Sequence, residues 1–203
     1  MRKRDTSKKR ESILDAAQQA FIDEGYDNAS MDRIAEIAGA SKRTVYNHFP
    51  SKEELFQHVL NRMLAESIEK KKIRYDKNKN LEEQLGSFAE AKMEISKNPT
   101  WLGMWRVALG VFINNPDLVR EAVMRAEDRE DYLATWLRTA DEDGRLRVPD
   151  PVLAAQAFWA IMSGAFFWPA LFMGPMDAVA SEPMKKELIE TFLARYGREK
   201  SPP

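Results

Sequence analysis

Cysteine is absent from the 203-residue sequence, and histidine occurs only as His48 and His58. The missing thiols exclude a disulfide framework, an iron–sulfur cluster and thiol catalysis, and they fit a reducing compartment. The two histidines lie ten residues apart with a proline between them, which is a poor spacing for metal ligands. We therefore expect no metal, no cofactor and a cytoplasmic protein.

Short motifs that build common active sites are also missing. The sequence has neither a glycine-rich phosphate-binding loop nor the Gly-x-Ser-x-Gly turn of hydrolases. Its carboxylate clusters at 127–131 and 141–143 have the pattern of solvated helix faces and a turn. No catalytic site can be assembled from these groups, so we expect that the protein is not an enzyme.

Strand signals are nearly absent, and apolar residues recur at helical spacing instead. The first helix is expected to end at Gly25, and the next two follow the N-caps Ser30 and Ser41. A capping box formed by Ser51 and Glu54 begins a fourth helix. Further helices are predicted over 81–97, 99–113, from 115, over 151–172 and from Pro183. The sequence thus predicts an all-α protein.

Residues 151–176 contain no charged side chain. That length could span a bilayer, but Pro169 lies near its end, where it would stop or kink a helix. Charged residues also crowd both ends of the segment. We expect a buried helix in a helical core or an oligomer interface, and no membrane span.

The N-terminus is strongly basic. Residues 1–10 carry a local charge of +5 in a chain whose net charge is −1. A basic arm of this kind favours contact with a polyanion. The alternative is a solvated, disordered terminus.

Helices two and three, with the turn at 38–40, have the spacing of a helix-turn-helix unit. Gly39 permits the tight turn, and Val45 and Phe49 face inward from helix three. Such units place their second helix in the major groove of DNA. The outward positions are polar and can reach bases or phosphates; they are Lys42, Arg43, Thr44 and Asn47.

Residues 30–56, SMDRIAEIAGASKRTVYNHFPSKEELF, resemble the DNA-binding segment of the TetR family of bacterial transcriptional regulators. The matching elements are Ile34-Ala35, Ala38-Gly39-Ala40, Thr44-Val45-Tyr46, His48-Phe49 and Lys52-Glu53-Glu54-Leu55. The stretch from NPDLVREAV to YGREK further resembles AefR-like members. The resemblance implies a helix-turn-helix domain over 1–52 and a larger effector-binding and dimerisation domain over 53–203, connected by helix four.

The same resemblance assigns roles on DNA. Lys42, Arg43 and Thr44 would face base edges, where Arg or Lys can bind guanine. The residues implied at the phosphate backbone are Ser30, Tyr46, His48 and Lys52, with the basic N-terminus ahead of helix one. For Tyr46 and His48 the alternative is packing of helix three on helix one.

An apolar helix without a charged face must be covered by something. The resemblance implies that the last two helices of two protomers form a four-helix bundle, which makes the protein a homodimer. The residues expected there are Ala157, Ala160, Gly164, Phe167, Leu188 and Phe192. The alternative is a core helix within one protomer.

Aromatic and methionine side chains of the middle helices could line a pocket, since they make adaptable apolar cavities. They are Trp101, Met104, Trp105, Phe112, Met124, Trp136 and Met162. The alternative is ordinary core packing. The resemblance implies a repressor that a small apolar or aromatic effector releases from its operator. A second hypothesis is a DNA-binding regulator whose C-terminal domain responds to a protein partner and not to a small molecule.

Overall fold

The computed structural model describes residues 2–69, 73–120 and 131–198. Across these residues it is helical, and its β content is one isolated bridge between Leu146 and Gly197, which confirms the predicted all-α class. The helices are α1 (Arg2–Asn28), α2 (Met31–Ile37), α3 (Lys42–His48), α4 (Lys52–Glu69), α5 (Leu81–Lys97), α6 (Pro99–Asn114), α7 (Tyr132–Glu142), α8 (Pro151–Met162), α9 (Trp168–Met173) and α10 (Ala178–Tyr196). A π-helical turn, Ser163–Phe167, joins α8 to α9.

The chain divides into two compact units. The first comprises residues 1–67 and 100–129, and the second comprises residues 68–99 and 130–203. The functional boundary that we expect between residues 52 and 53 stays a prediction.

In the first unit, local side-chain chemistry sets the helix ends. Gly25 interrupts α1 with a φ of 79°, and one short turn follows it to Asn28. The hydroxyl of Ser51 accepts a hydrogen bond from the backbone N–H of Glu54 at 3.1 Å, as a capping residue should. The core joins these helices through fully buried side chains, among them Ile13, Phe21, Ile34, Val45, Phe49, Leu55 and Phe56.

In the second unit, aspartates and an asparagine cap the helices that build the core. Asp131 caps α7, Asp150 caps α8 and Asn80 caps α5, each accepting hydrogen bonds from backbone N–H groups of the first turn. The buried side chains include Leu85, Phe88, Trp136, Leu137, Phe158 and Phe192. The second unit therefore has a hydrophobic core of its own.

Two prolines lie inside helices of the second unit, and one of them, Pro183, is placed differently from the prediction. Pro169 does not end its helix, because the π-helical turn directly precedes it; a wider turn relieves the clash of a proline ring with the preceding carbonyl. Pro183 does not begin the last helix. That helix begins at Ala178, where the Asp177 carboxylate accepts from the N–H of Val179 at 2.8 Å.

Among the described residues, the segment Pro151–Met173 passes a test of length and apolarity for a membrane span. Core helices of soluble proteins pass the same test. One side of the segment, including Ala155, Phe158 and Met162, is buried in the second unit. Its other side is apolar and exposed, so the prediction of a buried helix holds for one face within this chain.

Candidate nucleic-acid interface

Two serines and a glycine fix the geometry of α2 and α3. Ser30 accepts a hydrogen bond from the N–H of Arg33, and Ser41 accepts one from the N–H of Thr44, each at 3.1 Å. Between the helices, Gly39 has a φ of 54°, a backbone conformation that side chains bearing a Cβ rarely adopt. These caps and this turn give both short helices defined ends.

Two fully buried residues, Val45 and Phe49, attach α3 to the rest of the unit. The Phe49 ring lies 5.4 Å from the His58 ring and 4.9 Å from the guanidinium of Arg10. With these side chains inward, the opposite side of α3 is open to solvent.

The outward side of α3 brings the predicted DNA-contacting residues together. Lys42, Arg43, Tyr46 and Asn47 are exposed, and 48% of the Tyr46 surface is accessible. Thr44 and His48 are half-buried on the same short helix, and Ser30 is exposed at the start of α2.

One cation of this surface pairs with an acidic residue of α2. The ammonium of Lys42 donates to the carboxylate of Asp32 on α2. That hydrogen bond raises the pKa of Lys42, so the side chain is charged at neutral pH. Since both groups are exposed, water screens the pair, and a phosphate or base can compete for the ammonium.

The basic N-terminus is not the separate arm that the sequence suggested. Residues 2–10 belong to α1, and two of the cations contact other parts of the unit. The ammonium of Lys9 donates to the carbonyls of Ala38 and Gly39, at 3.2 and 2.8 Å. Arg10 donates to Nδ1 of His58 at 3.1 Å. These two side chains therefore brace the helix-turn-helix.

Lys52 also differs from the prediction in its surroundings. Its ammonium donates to the carbonyls of Tyr26, Asp27 and Ala29, at 2.8, 3.2 and 3.2 Å, and lies 4.5 Å from the centre of the Tyr26 ring. An ammonium has three donors, and three carbonyls are within reach. This geometry makes Lys52 a cap for the end of α1.

The Tyr26 hydroxyl extends this cap to the first turn of α4. Burial and the neighbouring carboxylate of Glu53 raise the pKa of Tyr26. The phenol therefore stays protonated and donates to Glu53. Together with Lys52, it joins the end of α1 to the start of α4.

Two family models match this chain, one in its N-terminal part and one in its C-terminal part. Residues 13–59 match the model of bacterial regulatory proteins of the TetR family. Residues 83–198, more than half of the chain, match the C-terminal domain of AefR-like transcriptional repressors. The chain belongs to the TetR family. Its members are DNA-binding transcriptional regulators, so this TetR-family protein is not an enzyme.

Individual relatives agree with this assignment. A TetR-family regulator from Pseudomonas syringae pv. tomato strain DC3000 is 35% identical, with a TM-score of 0.75 over 94% of this chain and 97% of that one. The flavonoid-responsive regulator FrrA is 25% identical, with a TM-score of 0.72 over 95% and 99% of the two chains. The transcriptional activator FasR of Mycolicibacterium smegmatis is 50% identical over 54 residues, which cover 27% of this chain and only 25% of FasR.

The residues predicted at a dimer seam fall on both sides of their helices. Ala160 and Gly164 are exposed, and Ala157 and Leu188 are half-buried. Phe167 and Phe192 are instead buried in the second unit, at 5% and 4% exposure. They are part of this protomer's own core.

The π-helical turn explains the position of Phe167. A π turn adds one residue to the helical repeat, which sets every later side chain back by about 100° relative to a regular α-helix. Trp168 takes the outward position that regular spacing assigns to Phe167. Besides Trp168, other apolar side chains of the last helices are exposed that were not among the predicted seam residues: Leu153, Ile161, Phe172, Val179 and Met184.

The residues predicted to line an effector pocket are distributed over the two units. Trp101, Met104, Trp105 and Phe112 lie in the first unit, whereas Trp136 and Met162 lie in the second. Met124 lies outside the described residues.

Burial distinguishes the core residues of this predicted pocket set from the exposed ones. Met104, Trp136 and Met162 are buried in hydrophobic cores, and the indole N–H of Trp136 donates to Gln84 at 3.2 Å. Phe112 is 45% exposed. Ordinary core packing thus accounts for three members of the set, and a pocket stays a prediction.

Proposed function

We propose that this TetR-family regulator is a cytoplasmic homodimer that represses transcription by binding a specific operator, and that a small apolar or aromatic effector releases it. The observation that carries the proposal is the outward side of α3. Cations, an amide and a phenol stand there on a helix whose position is fixed by Val45 and Phe49.

On DNA, we assign base contacts to Lys42, Arg43 and Thr44 at the first turn of α3. The N-terminal residues of a recognition helix are those that contact base edges. An exposed guanidinium such as that of Arg43 can donate two hydrogen bonds to guanine O6 and N7.

Phosphate contacts are assigned to Ser30, Tyr46, Asn47 and His48, which surround that turn. Hydroxyl, amide and imidazole donors of this kind position a protein on the duplex without reading sequence. Lys52 is assigned a supporting role, because backbone carbonyls already occupy its ammonium.

The exposed apolar face of the last helices supports the proposed homodimer. Phe172 is 73% exposed and Val179 is 81% exposed, and large exposed apolar patches of soluble proteins mark interaction sites. A second copy would cover this face. Two recognition helices would then be set about 34 Å apart, which is one turn of DNA.

Release by a small molecule is supported by relatives of this chain. FrrA is described as flavonoid-responsive, and the matching C-terminal family is named for repressors. FasR, in contrast, is an activator. The direction of regulation is therefore a property to be measured on this protein.

Selection of binding sites from random duplex DNA tests the proposal. The wild-type protein is expected to enrich a palindrome with half-sites one helical turn apart. Arg43→Ala should lose preference at one position in each half-site, whereas a matched exposed control, Lys186→Ala in α10, should enrich the same palindrome. Failure of the wild type to enrich any sequence would refute the function.

Effector response needs a separate measurement. A library of apolar and aromatic compounds is first screened by thermal shift, and each compound that stabilises the protein is then added to the operator complex. Release of DNA supports the repressor model. If compounds stabilise the protein but leave the operator complex intact, the result favours the second hypothesis, in which the C-terminal domain responds to a protein partner.

A further inference from the structure

A lysine lies at the centre of the buried face of α5. Seven residues separate Lys92 from Leu85, and four separate it from Phe88 and from Ser96, so all four side chains share one face of the helix. Leu85, Phe88 and Ser96 are buried. At this position, regular amphipathic spacing calls for an apolar residue.

Lys92 has no counter-charge in the part of the chain that the structure describes. Its ammonium lies 5.4 Å from the centre of the Phe167 ring in the π-helical turn. No hydrogen-bond acceptor or carboxylate partner of this ammonium is found in the described parts of the chain. Desolvation by burial lowers the pKa of Lys92 to about 8.

Lys185 of the same unit shows the usual arrangement for a shielded lysine. Its side chain is only 12% exposed and pairs with Glu90 at 3.0 Å and with Glu182 at 2.9 Å. Buried charges in proteins are normally paired in this way or held by a ligand. Among the described residues, Lys92 therefore stands out as a shielded cation with no anionic partner.

We propose that Lys92, whose ammonium lies over the ring face of Phe167, binds the carboxylate of a small monoanionic ligand with an apolar body. A single ammonium matches a single negative charge. The neighbouring Phe88, Met93 and Phe166 are apolar and buried, which suits a hydrocarbon or aromatic body. This assignment rests on the proposed effector response and narrows the effector to apolar carboxylic acids.

Matched acid and amide pairs provide the test. Hexanoate, decanoate, benzoate and 1-naphthoate are each compared with the corresponding primary amide by isothermal titration calorimetry on the full-length protein. At least one acid should bind at least tenfold more tightly than its amide. Equal binding of acid and amide throughout, or no binding by any acid, would overturn the assignment.

Lys92→Met should weaken binding of that acid by about 10- to 100-fold, the factor expected from the loss of one charged hydrogen bond. Lys186→Met, an exposed lysine with 67% of its side chain accessible, is the control and should bind normally. Retained acid affinity in Lys92→Met would refute the role of Lys92.

A second measurement does not depend on folding of the variant. In reductively ¹³C-methylated wild-type protein, one lysine should titrate far below the others, and the acid should raise its pKa; no change would count against the site. If the acid binds through Lys92 without altering operator affinity, the site stands and the proposed effector response fails. If only neutral compounds release the operator, the response stands and the site fails.

Discussion

Substitution of Lys52 by methionine distinguishes an anchoring lysine from a phosphate-binding one. Methionine keeps the length of the apolar stem and removes the ammonium that caps the carbonyls of Tyr26, Asp27 and Ala29. A hydrogen bond to a charged group contributes about 1.5–3 kcal/mol, and a partly exposed cation–π contact about 0.5–1 kcal/mol.

Because the three hydrogen bonds share one half-buried ammonium, their contributions do not add. We expect a loss of about 2–3 kcal/mol in the free energy of unfolding. For a chain of this size, each kcal/mol lowers Tm by about 2–4 °C, so the expected decrease is roughly 4–12 °C by calorimetry. Lys8→Met, an exposed lysine in the same unit, should leave Tm unchanged.

The salt dependence of operator binding gives the decisive measurement. Each phosphate contact contributes about −0.9 to the slope of log K against log salt concentration. An anchoring Lys52 leaves that slope unchanged in Lys52→Met, even if affinity falls. A slope reduced by about 0.9 per protomer, with Tm unaffected, would refute the anchoring role and restore the phosphate role that the sequence suggested.

Three further substitutions test other parts of the molecule. Tyr46→Phe should weaken operator binding while circular dichroism stays unchanged, and equal affinity at physiological salt would rule out the phosphate contact. Phe172→Glu should convert the proposed dimer to monomers by light scattering, because a charge would enter the apolar face; a persistent dimer would place the interface elsewhere. Lys92→Met should be more stable at pH 7 by up to about 3 kcal/mol, at 1.36 kcal/mol per unit of pKa. The folded pKa of about 8 lies below the ordinary 10.5, so the charged form is penalised below pH 8 and the difference should vanish as pH rises to about 10.5. Identical urea stabilities across this range would contradict the burial of that charge.

Local chemistry made the N-terminal helices predictable. Ser30, Ser41 and Ser51 cap helices because their hydroxyls satisfy N–H groups of the next turn, which depends only on neighbouring residues. Gly25 and Gly39 adopt positive φ for the same local reason. The alternation of inward and outward positions on α3 then follows from helical geometry.

Long-range contacts could not be derived in this way. The carbonyls that hold Lys52 lie 23–26 residues earlier in the chain, and no spacing rule connects them. The orientation of Phe167 and Trp168 depends on a π-helical turn, for which the sequence carries no signal beyond Pro169.

The sequence by itself determined the all-α class, the helix-turn-helix unit and the residues that face outward from α3. These properties follow from caps, turns and a repeat of 3.6 residues, all of which act over a few neighbouring positions. Tertiary structure decided that Lys52 caps a distant helix end, that Trp168 and not Phe167 faces outward, and that Lys92 is shielded from water with no anionic partner among the described residues. Each of these depends on which distant groups the packed helices bring together.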